Sequence, residues 1–288
     1  TYTVTLTDAY GCTGTIDATV TEPFPLFTNT QQNNVLCNGG GNGDAFVQVF
    51  GGVLPYSYSW SPTGQITATA TNLSNGTHIV TITDGNGCII RDTVIISQPL
   101  PLVLTISQTN VSCFGGNNGT ATANISGGVT PYSFDWSSGS TAQTATSLSA
   151  GTDTLVITDN NGCVITGTVT ITQPPLLVAS VNSNDVTCFN LSNGSAAAVV
   201  SGGTPGYTYN WNPGTGSSVS GLAPGSYTLV VSDLNSCQQS VPFSITQPTQ
   251  LVLVSAGQSN VSCFSGADGM ASVAASGGTP GYSYSWST

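Results

Sequence analysis

The chain has 288 residues, of which 39% are hydrophobic and 5% charged; twelve acidic groups against one cation, Arg91, give a net charge of −11. One arginine builds no basic patch, which excludes nucleic acid and anionic membrane surfaces as partners. The hydrophobic share, with Tyr, Trp, Val and Ile recurring in alternating runs, excludes a disordered chain.

Four segments align along the chain: GGVLPYSYSW ending at Trp60, GGVTPYSFDW at Trp136, GGTPGYTYNW at Trp211 and GGTPGYSYSW at Trp286. The tryptophans are 76, 75 and 75 residues apart. The cysteines keep the same period in two series: Cys37, Cys113, Cys188 and Cys263, and Cys12, Cys88, Cys163 and Cys237. A fixed period of this size predicts copies of one small domain. In chain order these are the tail of one copy (1–23), three full copies (24–99, 100–174 and 175–248) and the head of another (249–288). The chain is therefore expected to be a piece of a longer protein. Copies this small sit near the lower limit for a stable core, where disulfides are a common remedy.

Within the copy 100–174, residues 102–107 alternate and predict a first strand. Cys113 and the turn-rich FGGNNG follow, then a second strand at 120–126. Gly127 and Gly128 open a bend that Pro131 stiffens. In YSFDW, Tyr132, Phe134 and Trp136 share one face, because side chains two apart in a strand point the same way. A weak strand passes through TAQTATSL, and TDTLVITD (152–159) is another. The turn NNG leads into CVITGTVTITQ, the last strand; N-G between alternating runs is a strong hairpin signal. No segment has a 3.6-residue apolar period. Six or seven short antiparallel strands per copy predict an all-β fold, a tandem array of small immunoglobulin-like β-sandwich domains of about 75 residues. Trp60, Trp136, Trp211 and Trp286 are the expected core aromatics. Copies meet at Glu22-Pro23, Gln98-Pro99, Gln173-Pro174 and Gln247-Pro248, short proline-stiffened joints that favour a semi-rigid rod.

Eight regularly placed cysteines without CxxC pairs, beside a single histidine, argue against zinc and for disulfides formed in an oxidising compartment. Three pairings fit the count. Pairing within a copy, placed first, joins Cys37–Cys88, Cys113–Cys163 and Cys188–Cys237. Pairing across a joint links cysteines 25 or 26 residues apart, such as Cys88–Cys113. A staggered scheme links neighbouring copies, such as Cys37 with Cys163. Strand parity bears on the choice: six strands put a copy's two cysteines at the same end of the sandwich, and seven at opposite ends, too far apart to bond.

No catalytic set is expected. His78 is matched in the other copies by Tyr2, Asp153 and Tyr227, which reads as a solvent-facing strand position. With no second histidine and no lysine, no Ser-His-Asp, Cys-His or Ser-Lys set forms. Asp8, Asp84, Asp159 and Asp233 each precede the last hairpin and read as turn-forming aspartates. The loops at 38–44, with Asp44, and 265–269, with Asp268, resemble oxygen-rich calcium loops, but the loop at 114–119 has no acid, and turn formation is the plainer account. No cofactor motif appears.

The succession C-F-G-G-N-N-G, GG-x-x-PYS-(Y/F)-x-W, L-S-A-G, TD-x-NGC and T-I-T-Q-P resembles the SprB-type repeat of Bacteroidetes cell-surface and gliding adhesins. The loops FNLSNG after Cys188 and FSGADG after Cys263 depart from it. The resemblance implies export by type IX secretion, display outside the cell, and service as a long stalk or mobile adhesin; the residues themselves predict no enzymatic activity. It also implies O-glycosylation at Asp-(Ser/Thr)-apolar sites, which Thr93 and Thr154 match; ordinary strand threonines are the alternative. Expected partners are other copies of the chain, laterally or end to end, and surface glycans. A rival reading is a multivalent glycan-binding array stacking Tyr and Trp on sugar rings, which exposure of the tryptophans would favour.

Overall fold

The computed structural model describes residues 1–287, and all regular structure among them is β. Residues 1–23 form a hairpin of β1 (Tyr2–Thr7) and β2 (Thr13–Ala18). Residues 24–99 carry β3 (Phe27–Asn33), β4 (Gly43–Phe50), β5 (Ser57–Ser61), β6 (Thr69–Leu73), β7 (Gly76–Thr83) and β8 (Ile89–Ile96). Residues 100–174 repeat this with β9 (Val103–Thr109), β10 (Gly119–Ser126), β11 (Ser133–Trp136), β12 (Thr144–Leu148), β13 (Gly151–Thr158) and β14 (Val164–Ile171). Residues 175–248 repeat it again with β15 (Val178–Asn184), β16 (Gly194–Ser201), β17 (Thr208–Asn210), β18 (Ser218–Leu222), β19 (Gly225–Ser232) and β20 (Gln238–Ile245). A last hairpin pairs β21 (Val252–Ser259) with β22 (Met270–Ser276).

Each full copy makes two three-stranded sheets: β3-β4-β6 and β5-β7-β8, then β9-β10-β12 and β11-β13-β14, then β15-β16-β18 and β17-β19-β20. The alternation of apolar and polar residues decides which faces meet. In β7, His78, Val80 and Ile82 are buried while the residues between them are more open. One core gathers Ala45, Val47, Ala70 and Leu73 from the first sheet and Trp60, Val80, Ile82, Val94 and Ile96 from the second. The third copy repeats it around Trp211, Leu222, Leu229, Val231 and Ile245. Full burial of an aliphatic side chain of this kind contributes about 1.5–3 kcal/mol. These are immunoglobulin-like β-sandwiches with one tryptophan-centred core each.

Strand direction fixes where the loops lie. β4 runs antiparallel to both β3 and β6, and β7 runs antiparallel to both β5 and β8. Phe27 and Ser57 therefore lie toward the end where the chain enters the copy, and Leu73 and Ile96 toward the end where it leaves. β5 and β6 run in the same direction. They act as one strand that changes sheet midway, a step that strand counting alone does not reveal.

By contacts the chain divides into two compact units. The first comprises Thr1–Ser107, Thr122–Thr144 and Thr154–Thr168, and the second comprises Gln108–Ala121, Ala145–Asp153 and the chain from Val169 onward.

Candidate functional site

The leading end of each full copy is organised by one aspartate. Asp84 is 5% exposed. Its Oδ1 accepts from the amides of Asn86 and Cys88, closing its own turn, at 2.9 and 2.8 Å. Its Oδ2 accepts from the amide of Val53, in the loop after the Gly-Gly pair, at 3.0 Å. Asp159 repeats this with Asn161, Cys163 and Val129, and Asp233 with Asn235, Cys237 and Thr204. Burial pushes the Asp84 and Asp159 carboxyls up, but the amide donors outweigh it and hold both below the ordinary aspartate value. For Asp233 the Thr204 amide is the leading influence, and the net direction is again down. The turn role expected of these aspartates covers half of what they do; the bond to the distant loop is the other half.

The Gly-Gly pair is held from the opposite side. Gly51 and Gly127 have φ of 73° and 78°, and a Cβ there would lie 2.0 and 1.9 Å from the carbonyl oxygens of Pro25 and Pro101. Only glycine fits so close an approach at positive φ. The hydroxyls of Tyr56, Tyr132, Tyr207 and Tyr282 donate to the carbonyls of Gly51, Gly127, Gly202 and Gly277. The first tyrosine of each aromatic motif is thus a strut for the glycine bend.

The trailing end carries the first-series cysteine. The Asn42 Oδ1 accepts from the Leu36 amide, curling the loop that holds Cys37, and the Asn118, Asn193 and Asp268 oxygens do the same for Ser112, Thr187 and Ser262. The glutamine of the Gln-Pro joint then ties this loop to the exit of its own copy. Gln98 Oε1 accepts from Gly39, Gln173 from Gly115 and Gln247 from Asn190, at 2.7 to 2.9 Å. Sequence reading missed this role; its signal was a glutamine before proline at three successive joints. Asp268 takes the place of a turn-forming asparagine, and Asp44 Oδ1 accepts from Asn33 Nδ2. Among the described residues no group of three His, Cys, Asp or Glu stands close enough to hold a metal ion.

The disulfides correct the pairing placed first. Cys37 bonds Cys163 and Cys113 bonds Cys237, with Cα separations of 5.6 and 5.7 Å. Cys37–Cys88, Cys113–Cys163 and Cys188–Cys237 are not formed; Cys12, Cys88, Cys188 and Cys263 are exposed thiols. The two cysteines of a copy lie at opposite ends of a six-stranded sandwich because β5 and β6 run the same way. Cys37 follows β3 at the trailing end, and Cys88 precedes β8 at the leading end, separated by a strand length of about 25 Å. Across a joint, the trailing end of one copy meets the leading end of the next, and the staggered scheme results. The Asn161 side chain donates to the Leu36 carbonyl at 2.9 Å, and Cys163 Sγ lies 3.4 Å from the same oxygen. Asn235 and Cys237 repeat both contacts on Ser112.

Trp60, Trp136 and Trp211 are each 1% exposed, and their indole N–H groups donate to the carbonyls of Thr67, Ala142 and Gly216. Trp286, expected in a core, is 57% exposed. Trp60 is paired with Val80 of β7 and Trp136 with Leu155 of β13, whereas among the described residues no strand pairs with the segment of Trp286. His78 also departs from expectation: it is 2% exposed, with Nε2 3.0 Å from the Ser74 carbonyl oxygen. Tyr227, its counterpart, donates to Ala223 four residues earlier in the same way. The position serves to tie down the preceding turn, and a histidine or tyrosine reaches it equally well. Thr93 and Thr154 both lie on exposed strand positions.

The class these sheets define is a tandem array of immunoglobulin-like β-sandwiches. The SprB repeat family matches residues 29–64, 105–141, 180–216 and 255–288, each stretch running from the first strand past the tryptophan motif, and the chain belongs to that family. Among solved structures it is similar to Sidekick-1 immunoglobulin domains 1-5, at 14% identity and TM-score 0.34, covering 84% of this chain and 65% of that one. It is also similar to the surface layer protein SbsC, domains 1-6, at 14% identity and TM-score 0.28, covering 94% of this chain and 52% of that one. The N-terminal eight Ig domains of Down Syndrome Cell Adhesion Molecule match at 9% identity and TM-score 0.30, covering 90% and 52%. No curated protein sequence matches the chain.

Proposed function

We propose that this chain is a load-bearing segment of an exported bacterial surface adhesin or extracellular filament, without enzymatic activity. The observation that carries this reading is the pair of disulfides, Cys37–Cys163 and Cys113–Cys237, each joining successive copies. Such bonds belong to an oxidising compartment outside the cytoplasm. Their loops overlap, so the middle copy is covalently tied to both neighbours. A pull on the ends passes through the sulfur bridges and shields much of the intervening chain. Membership in the SprB repeat family supports display at the cell surface, and the type IX route and a part in gliding belong to the same reading. The burial of Trp60, Trp136 and Trp211 removes the best candidates for stacking on sugar rings, which weighs against the glycan-binding alternative.

Single-molecule stretching tests the proposal. With both disulfides closed, the 288-residue chain should extend to roughly half the contour length it reaches after reduction, at ~3.3–3.6 Å per freed residue. Equal extension in the two states would sink it.

A further inference from the structure

The outer face of the sheet β3-β4-β6 differs from its counterparts in the other two full copies. Phe27 pairs with Phe50, Asn29 with Gln48 and Gln31 with Phe46, and directly paired residues share a face. The intervening Ala45 and Val47 are buried in the core with Trp60, so the paired set is turned away from it. The Phe27 and Phe50 rings stack with centroids 4.8 Å apart, and Phe27 and Phe46 are 54% and 42% exposed. Asn29, Gln31 and Gln48 are exposed, and among the described residues their side chains have no hydrogen-bond partner. Farther along the same face, the Asn33 side chain donates to Asp44.

The same strands elsewhere carry no such rings. In place of Phe27, Phe46 and Phe50 stand Val103, Thr122 and Ser126 in the middle copy, and Val178, Ala197 and Ser201 in the third. The fold therefore does not require the three phenylalanines. Nor does the openness of the position depend on what precedes the copy: Val103 and Val178, each preceded by a complete copy, are 54% and 50% exposed. A cross-strand aromatic pair by itself stabilises a sheet by about 0.2–1 kcal/mol. That accounts for Phe27 with Phe50, but not for Phe46, whose partners are Gln31 and Thr69. Rings gathered on a surface and rimmed by polar groups mark a binding site.

We propose that this face of residues 24–99 binds a neutral, extended polysaccharide, with sugar rings lying on Phe27, Phe50 and Phe46 and hydroxyls bonded to Asn29, Gln31 and Gln48. Charge selects the ligand. Asp44 is the one ionised group among the paired residues of this face and already accepts from Asn33, which leaves a polycation little to hold; a net charge of −11 repels polyanions. A carboxamide both donates and accepts, as a sugar hydroxyl does. Phe46 and Phe50 are four residues apart in β4, about 13 Å along the strand, so a ligand touching both is a chain and not a single sugar. A β-1,4-linked chain is flat, and its equatorial substituents leave C–H faces free to lie on the negative face of an aromatic ring. A coiled α-1,4-linked chain offers no such run. Binding here is independent of the disulfides that carry load, and it uses none of the buried tryptophans.

The test is calorimetric titration of the folded 288-residue chain with cellohexaose and with chitohexaose, beside maltohexaose as the coiled control. At least one of the two flat oligosaccharides should bind, and maltohexaose should bind more weakly than it. A chain carrying Phe27→Val, Phe46→Thr and Phe50→Ser has at each position the residue of the middle copy, so it should keep its strand circular dichroism while affinity falls roughly tenfold. Gln48→Ala removes no bond within the protein and should weaken binding roughly fivefold, as loss of one hydrogen bond implies, with the thermal midpoint unchanged. Absence of binding by both flat oligosaccharides, equal affinity for maltohexaose, or full affinity in either variant would overturn the proposal.

Discussion

Cys37 and Cys163 are 126 residues apart in sequence and 5.6 Å apart between Cα atoms, because one closes the trailing end of a sandwich and the other opens the leading end of the next. The bond constrains the unfolded chain over a long loop, and such bonds contribute about 2–4 kcal/mol. Cys163→Ser should therefore lower the thermal midpoint measured by calorimetry, and reduction of the parent chain should lower it further, since Cys113–Cys237 is then lost as well. Peptide mapping under non-reducing conditions should recover Cys37–Cys163 and no Cys37–Cys88 peptide. With Arg91 as the only tryptic site, an acid protease is the practical choice.

The carboxylates of Asp84, Asp159 and Asp233 accept backbone hydrogen bonds in their ionised form, and their folded pKa values lie below the ordinary one. A group depressed on folding stabilises the native state above its unfolded pKa, near 3.9 for aspartate, and that contribution is lost as pH falls through the folded value. The thermal midpoint should thus hold steady from pH 7 to about 5 and fall below about pH 4. Asp159→Asn places an amide group where an acceptor is needed, opposite Val129 or the turn amides. It should lower the midpoint at pH 7 and make the acid fall shallower. A variant with the parent's full acid dependence would show that this aspartate is not one of the groups responsible.

Three of the four tryptophans are sealed in cores and one is exposed. Iodide should quench a minor, red-shifted component of the fluorescence and leave the rest untouched, and Trp286→Phe should remove the quenchable part. Trp136→Ala should cost about 3–5 kcal/mol, as loss of a large core aromatic does. If soluble glycans shifted the emission of the Trp286→Phe chain, the buried-ring account would be wrong.

Much of this was legible in the sequence because it is periodic and local. Alternation in TDTLVITD gives the inward set Leu155 and Ile157, and the Tyr-x-Phe-x-Trp spacing places Trp136 on their side. The cysteine pairing was not legible. It depends on β5 and β6 running the same way, and nothing in the residues between Trp60 and Thr69 announces a change of sheet. His78 was misread for a different reason: the mixed set Tyr2, Asp153 and Tyr227 at its position suggested solvent, but the His78 and Tyr227 side chains both reach back to a carbonyl four residues earlier. The Asn161–Leu36 contact lies beyond any reading of one copy, since its two halves sit 125 residues apart.

The glycine bend offers the sharpest test of the leading-end architecture. Gly127 has φ of 78°, a region that costs a residue with a side chain about 1–2 kcal/mol. A Cβ there would also sit 1.9 Å from the Pro101 carbonyl oxygen and 2.7 Å from its carbon, so the backbone itself would have to move. That movement would pull on the Gly128 amide bond to Leu100 and on the Tyr132 hydroxyl bond to Gly127. Gly115 is a useful control, because it too has positive φ, at 72°, but meets nothing within 4 Å. Gly115→Ala should carry only the conformational cost, whereas Gly127→Ala should destabilise by clearly more in chemical denaturation. Tyr132→Phe should fall near the 0.5–1.5 kcal/mol typical of one hydrogen bond. Equal losses for the two alanine variants would mean that the close approach of the Gly127 bend to Pro101 does not hold in solution.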